Sequence, residues 1–193
     1  MEPQYFEEQV FDKLNVYVDP FPKGEYENCT FRNCDLSGAD LSGSRFSETT
    51  FVDCSLSNAK IAKTSFQDVA FKNCKLLGLQ FDQCNGFAFE AAFEGCQLSH
   101  SSFYQVKLTR SSFLNCQLHG IELTEADLHG VHLQNCDLLD AVFENTNLEK
   151  ADLSTASNYF LDPERNRIKG ARFSFPEVAG LLAKYHIDIV HNV

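Results

Sequence analysis

The residues that could do chemistry are the eight cysteines and six histidines of this 193-residue chain. Thiols and imidazoles together suggest zinc, disulfides or a nucleophile. Their spacing supports none of these: no Cys-x-x-Cys occurs, and a small disulfide framework belongs to secreted chains. His129 and His132 are close in sequence, but they are set to point outward on adjacent faces, as surface residues. His100, His119, His186 and His191 are scattered. There is no Gly-rich phosphate loop, nucleophile elbow or His-Glu-x-x-His. No catalytic residue, metal site, cofactor or small-molecule substrate is therefore expected. Asn28-Cys29-Thr30 matches a glycosylation sequon, which has meaning only in an exported chain. The N-terminus carries Glu2, Glu7 and Glu8 where an export signal would be basic, so a cytoplasmic location without membrane contact is expected.

What positions the cysteines is a period of five. An apolar residue recurs at Tyr26, Phe31, Leu36, Leu41, Phe46, Phe51, Leu56, Ile61, Phe66, Phe71, Leu76 and Phe81. It resumes at Phe93 and runs through Phe103, Phe113, Leu123, Leu133 and Phe143 to Leu153 at the same interval. Two positions before each of these centres the residue is usually small, as at Cys29, Ala39, Ser44 and Thr49. In a helix, five residues rotate successive centres by roughly 140°, which scatters them around the axis. In a straight strand an odd period sends them to opposite faces. The chain must turn once per repeat, with the centre and the small residue two before it both pointing inward.

Cys34, Cys54 and Cys74 are spaced by twenty, as are Cys96, Cys116 and Cys136, so four sides of five close one coil. Phe31-Arg-Asn-Cys-Asp-Leu36 repeats in that register at Phe51, Phe71, Phe93, Phe113 and Leu133. The reading is an all-β quadrilateral solenoid with reduced, inward-facing thiols. Asn33, Asp53, Asn73, Asn115 and Asn135 should stack at one corner, with side-chain amides bonded from coil to coil and Gly95 as the gap. Residues 1–23 read as an N-terminal cap, 24–155 as the solenoid, and 156–193 as a connector, a last partial repeat, and a C-terminal helix and strand. The repeat breaks once, at 82–92, by two residues. There Asn85, Gly86, Phe87 and Phe89 form a bulge whose aromatics are expected to tuck back into the corner.

Ala39-Asp-Leu-Ser-Gly and Ala151-Asp-Leu-Ser-Thr resemble the pentapeptide-repeat family, which implies a right-handed quadrilateral β-helix. The tail from Asn166 to Ile189 resembles the C-terminal end of Qnr-type quinolone-resistance proteins. That resemblance implies a homodimer joined through the C-terminal end, here through Phe173, Phe175, Val178, Leu181, Leu182, Tyr185, Ile187 and Ile189. It also implies a type II topoisomerase, DNA gyrase or topoisomerase IV, as partner, met by imitation of bent duplex DNA. Qnr proteins typically carry two projecting loops, and this chain has only its short bulge. Loopless mycobacterial and albicidin-resistance relatives still engage gyrase.

Charge narrows the partner. With 27 acidic and 16 basic residues the net charge is −11, which excludes general affinity for nucleic acid. Residues 122–155 carry a net −7 through Glu122, Glu125, Asp127, Asp137, Asp140, Glu144, Glu149 and Asp152 against Lys150 alone. These acids fall on all four faces. They suit recognition by a DNA-binding saddle and equally a merely solvated surface. The alternative function is a structural solenoid that binds an unrelated protein, read through the bulge.

Overall fold

The computed structural model describes residues 4–18 and 20–190. Thirteen short strands stack in parallel register: β1 (Gln4–Glu7), β2 (Val10–Asp12), β3 (Gly24–Glu27), β4 (Thr30–Arg32), β5 (Arg45–Ser47), β6 (Thr50–Val52), β7 (Ser65–Gln67), β8 (Val69–Lys72), β9 (Ala91–Glu94), β10 (Ser112–Leu114), β11 (Leu133–Gln134), β12 (Asp152–Leu153) and β13 (Arg172–Phe173). One wall orders its strands β1-β3-β5-β7, and the next orders them β2-β4-β6-β8-β9-β10-β11. The other two walls are made of single bridges, such as Asp35 to Ser55 to Lys75 and Ser102 to Glu122 to Val142.

The corners explain the outward sequence. The second residue after most centres has a positive φ, at Asn33, Asp53, Asn73, Asn115 and Asn135 among others, all near 52°. Asn, Asp and Gly tolerate that left-handed conformation best, so they recur there. The expected amide ladder is only partly built. Asn135 Nδ2 donates to Asn115 Oδ1 at 3.0 Å, and Asn33 Nδ2 donates to Asp12 Oδ1 at 3.1 Å. At Gly95 the ladder has its gap, and a Cβ there would lie 2.5 Å from Asn73 Oδ1, so a larger residue would have the Asn73 side chain move aside.

Inside, the large residues form columns. Phe11, Phe31, Phe51, Phe71, Phe93 and Phe113 stack at centroid separations of 4.6, 4.8, 5.1, 5.3 and 4.9 Å. Phe6, Tyr26, Phe46 and Phe66 form a second column at 4.7, 5.0 and 5.6 Å. Beside them the small slot has a second task, which composition alone did not reveal. The Cys54 thiol reaches the carbonyls of Val52 at 3.2 Å and of Phe31, one coil below, at 3.5 Å. Cys74, Cys96 and Cys116 repeat the arrangement. Thr49, Thr64 and Thr146 make the same inter-coil bond with a hydroxyl. Where the slot holds cysteine or threonine the small side chain also donates, whereas Ala39, Ala59 and Ala151 only fill it. All eight cysteines are free.

Three boundaries differ from expectation. Residues 4–18 are no cap: β1 pairs with β3 and β2 with β4 in the register of later coils, so the solenoid already includes Gln4. The expected last partial repeat is in register, Asp152 pairing with Arg172 and Leu153 with Phe173, but the stretch before it, expected as a connector, also keeps the coil, with Ser157 bridged to Asp137 and Arg167 to Asn147. The centres Phe11, Phe31, Phe51, Phe71, Phe93, Phe113, Leu133, Leu153 and Phe173 therefore mark one wall through eight coil steps. At ~4.8 Å per coil the solenoid is roughly 38 Å long. Finally, the C-terminal helix is two 3₁₀ segments, Pro176–Leu181 and Ala183–Tyr185, and residues 187–190 form no strand.

Substituting Phe51→Ala, with ring neighbours above and below, should lower unfolding free energy by about 3–5 kcal/mol. Phe87→Ala, in the exposed bulge, should change it by less than about 0.5 kcal/mol. Urea unfolding followed by circular dichroism checks both.

Candidate functional site: the acidic coils, the bulge and the C-terminal end

Because every inward position is filled, a partner can meet only outward residues, the bulge or the ends. The acidic coils are less charged than their composition implies. Arg165 pairs with Glu144, Arg167 with Glu149 at 3.1 Å and Arg172 with Asp152 at 2.8 Å. His119 Nε2 lies 2.7 Å from Asp137. Each pair joins a residue to its neighbour about one coil away. Glu122, Glu125, Asp127 and Asp140 have no ionic partner among the described residues. Gln105 donates to Glu125, and Asn147 to Asp127. Glu122, Glu125 and Asp127 lie on one coil, on two adjacent walls and the corner between them.

Several of these carboxylates also shape the backbone. Asp127, Asp137 and Asp152 accept the N–H two residues on, from His129, Leu139 and Ser154. The Ser154 bonds, with Arg172 and His132 nearby, hold Asp152 below the usual carboxylate range. Burial opposes the same shift at Asp137, but bonds from Asn158 and His119 prevail.

At the bulge the two aromatics part company. Phe89 is 5% exposed and stands edge-on to Phe66 and Phe81 at 6.4 and 6.0 Å. Phe87 is 78% exposed, so the expectation that both tuck inward fails for it. Room explains the division: one ring fills the interior position, and the two extra residues must loop out. Asn85 fixes the loop by accepting the Phe87 N–H at 3.1 Å and donating to Ser65 Oγ at 3.1 Å. Gly86, Phe87, Lys107, Thr109 and Arg110 line a shallow groove there.

The C-terminal end also divides. Phe173 and Leu181 pack against the core and close the last coil. Gly180 sits directly on the Tyr159 carbonyl, where no Cβ fits. Lys184 bridges Asp162 and Glu164 at 2.7 Å each, fastening the 3₁₀ segments to the last coil. Ser174 Oγ accepts the Glu177 N–H at 3.3 Å, as expected of a helix-start residue. Phe175, Val178, Leu182, Tyr185, Ile187 and Ile189 remain exposed, Phe175 at 83%. Of these, Leu182, Ile187 and Ile189 come together with Phe160 around one apolar groove on this end face.

Among the described residues no group of three or more His, Cys, Asp or Glu side chains is arranged for a metal. His129 and His132 each face a carboxylate on the next coil, Glu149 at 4.0 Å and Asp152 at 3.9 Å. Burial pushes the Cys84 thiol up, and a neighbouring thiol followed by burial does the same for Cys96, to about 12. No helix of the described residues is long and apolar enough to cross a membrane.

The five-residue period, the four-sided coil and the filled interior have a counterpart in sequence space. The pentapeptide repeat region model matches residues 25–86 and 88–159. The chain belongs to the pentapeptide-repeat family. Among solved structures it is similar to a trypsin-treated variant of QnrB1, a plasmid-mediated fluoroquinolone resistance protein, at TM-score 0.64 and 21% identity over 98% of this chain and 99% of that one. Full-length QnrB1 gives TM-score 0.56 and 19% identity, over 95% of this chain and 100% of that one. The pentapeptide-repeat chain thus has the right-handed quadrilateral β-helix of Qnr proteins. None of the curated proteins compared matches it by sequence.

Asp152 and Asp137 are more acidic folded than unfolded. They stabilise the folded chain above roughly pH 4, the unfolded carboxylate value, and lose that effect as pH falls through their lower folded values. Asp152→Asn keeps the acceptor for Ser154 but drops the charge. Its melting temperature should therefore fall less than that of the unsubstituted protein between about pH 5 and 2.5. Thermal unfolding across that range checks it.

Proposed function

We propose that this protein is a non-catalytic interaction module of Qnr type. Two copies join at their C-terminal ends, and the resulting rod engages a type II topoisomerase, DNA gyrase or topoisomerase IV, in place of duplex DNA. The observation that carries the reading is the concentration of unpaired acids at Glu122, Glu125, Asp127 and Asp140, a few coils from an apolar end face. Joining two such ends puts both acidic regions beside the centre of a rod roughly 75 Å long. A basic, DNA-binding saddle would meet them there. The likeness to QnrB1 supports the fold on which this rests. Such a partner places the protein in the cytoplasm.

The arginine pairs refine the expected contact. Glu144, Glu149 and Asp152 are already matched within the chain, so the four unpaired acids are the residues a partner would feel most. A second reading is favoured by Phe87, whose exposed ring beside Lys107 and Arg110 suits an anchor for an unrelated protein.

A supercoiling assay with purified gyrase, titrated with and without ciprofloxacin, tests the proposal. The protein should inhibit the enzyme or rescue it from the drug. The triple substitution Glu122→Lys, Glu125→Lys and Asp140→Lys should weaken that effect by about tenfold or more, chiefly at low salt, with the fold unchanged. Loss of activity on Phe87→Ala, with the triple variant fully active, would favour the second reading. No effect of the protein in either arm would overturn the topoisomerase assignment. Leu182→Glu with Ile187→Glu should convert a sedimenting dimer into a monomer, and a protein that is monomeric without these substitutions would contradict the proposed end-to-end joint.

A further inference from the structure

The solenoid's two ends are finished differently. At the C-terminal end the 3₁₀ segments lie over the last coil. At the other end β1 and β2 are edge strands, and none of the described residues covers them. The register shows what this leaves open. Glu8 N–H donates to Glu27 O at 3.0 Å, Thr30 N–H to Gln9 O at 2.8 Å, Lys13 N–H to Arg32 O at 2.9 Å and Asp35 N–H to Leu14 O at 2.8 Å. Moved down one coil, the groups of Glu27, Thr30, Arg32 and Asp35 become the Glu7 carbonyl, the Val10 N–H, the Asp12 carbonyl and the Asn15 N–H. These point away from the solenoid, and none of the described residues meets them.

Side chains at this end repeat the pattern. Phe6 stacks on Tyr26 at 4.7 Å and Phe11 on Phe31 at 4.6 Å, so each column ends in a ring with one open face. Tyr26 and Phe31 are buried, whereas Phe6 and Phe11 are only half-buried. Val10 is 62% exposed, and it helps line a shallow groove with Phe11, Leu14 and Val18. The rim is acidic: Glu7, Glu8 and Asp12 outnumber Lys13.

We infer that this end binds an extended, basic segment of another protein as one further parallel turn of strand. The backbone groups select an extended chain in the solenoid's own register. The open faces of Phe6 and Phe11 select aromatic or large apolar residues five apart. Glu7, Glu8 and Asp12 select lysine or arginine at the outward positions. A second copy of this end is the poorer occupant, because it would oppose the same acids to one another. The site is at the far end from the apolar C-terminal face and does not rest on a topoisomerase partner.

The probe is a peptide copying Gly24–Leu36 with Glu25→Lys and Glu27→Lys, which in the missing-coil register lays Tyr26 over Phe6 and Phe31 over Phe11. Added to isotope-labelled full-length protein, it should give saturable amide shifts confined to about residues 5–16, with the Val10 amide newly protected from exchange. The unsubstituted acidic copy should bind about tenfold more weakly at low salt. Val10→Pro removes the free N–H and should weaken binding of the basic peptide about tenfold. Glu7→Lys with Asp12→Lys leaves the backbone alone and should reverse the preference between the two peptides. No saturable shift by about 1 mM peptide, shifts centred on residues 122–140, or self-association through residues 5–16 would overturn the inference. Binding indifferent to both variants would overturn it equally.

Discussion

The constraint on which everything else depends is the backbone bonding between successive coils. A chain that turns every five residues can satisfy its N–H and C=O groups only by laying each coil on the next in fixed register, since no helix or flat sheet is available to it. That register forces the second residue after most centres into left-handed conformation and places each centre over the centre twenty residues before it, or twenty-two across the bulge. It leaves one slot beside each centre for a small side chain. Cysteine and threonine suit that slot because they are compact and because their hydrogen reaches the carbonyl of the coil below. What looks like an excess of reactive thiols is a structural part of the stack.

The same constraint decides where function can be. With the interior closed, the chain has only a polar skin, one bulge and two unlike ends on which to present anything specific. Bulge and ends are the places where the register fails. At the bulge two extra residues push one phenylalanine out while another takes the interior place. At the C-terminal end the chain leaves the coil register and folds over the last coil as 3₁₀ turns, with Gly180 against the Tyr159 carbonyl. The acidic coils are different, since they are regular solenoid whose charge is set by which residue happens to point outward.

The solenoid was legible because its rule is local: one large and one small residue in every five. Where the rule loosens, the reading from sequence failed. Phe6, Phe11, Val16 and Phe21 keep the period, but Gln4, Gln9 and Leu14 fill the slots that are small elsewhere, so the first coil resembled a cap. Val178, Leu181, Leu182 and Tyr185 have helical spacing, yet the segment forms two 3₁₀ turns, a difference that apolar spacing over so short a stretch does not encode. The exposure of Phe87 and the burial of Phe89 depend on how two inserted residues share one interior site, which no periodicity encodes. The ion pairs of Arg165, Arg167 and Arg172 were within reach, because each lies about one coil length from its acid.

The proposed partner is a protein that normally holds DNA, met through the charge this solenoid presents. Equilibrium competition tests this most directly: fluorescently labelled protein bound to purified gyrase is titrated with linear duplex DNA over a range of salt. Displacement by the duplex, with affinity that falls as salt rises, is the predicted result. Binding that is unaffected by saturating duplex and insensitive to salt would contradict the account, because the site would then be neither shared with DNA nor electrostatic.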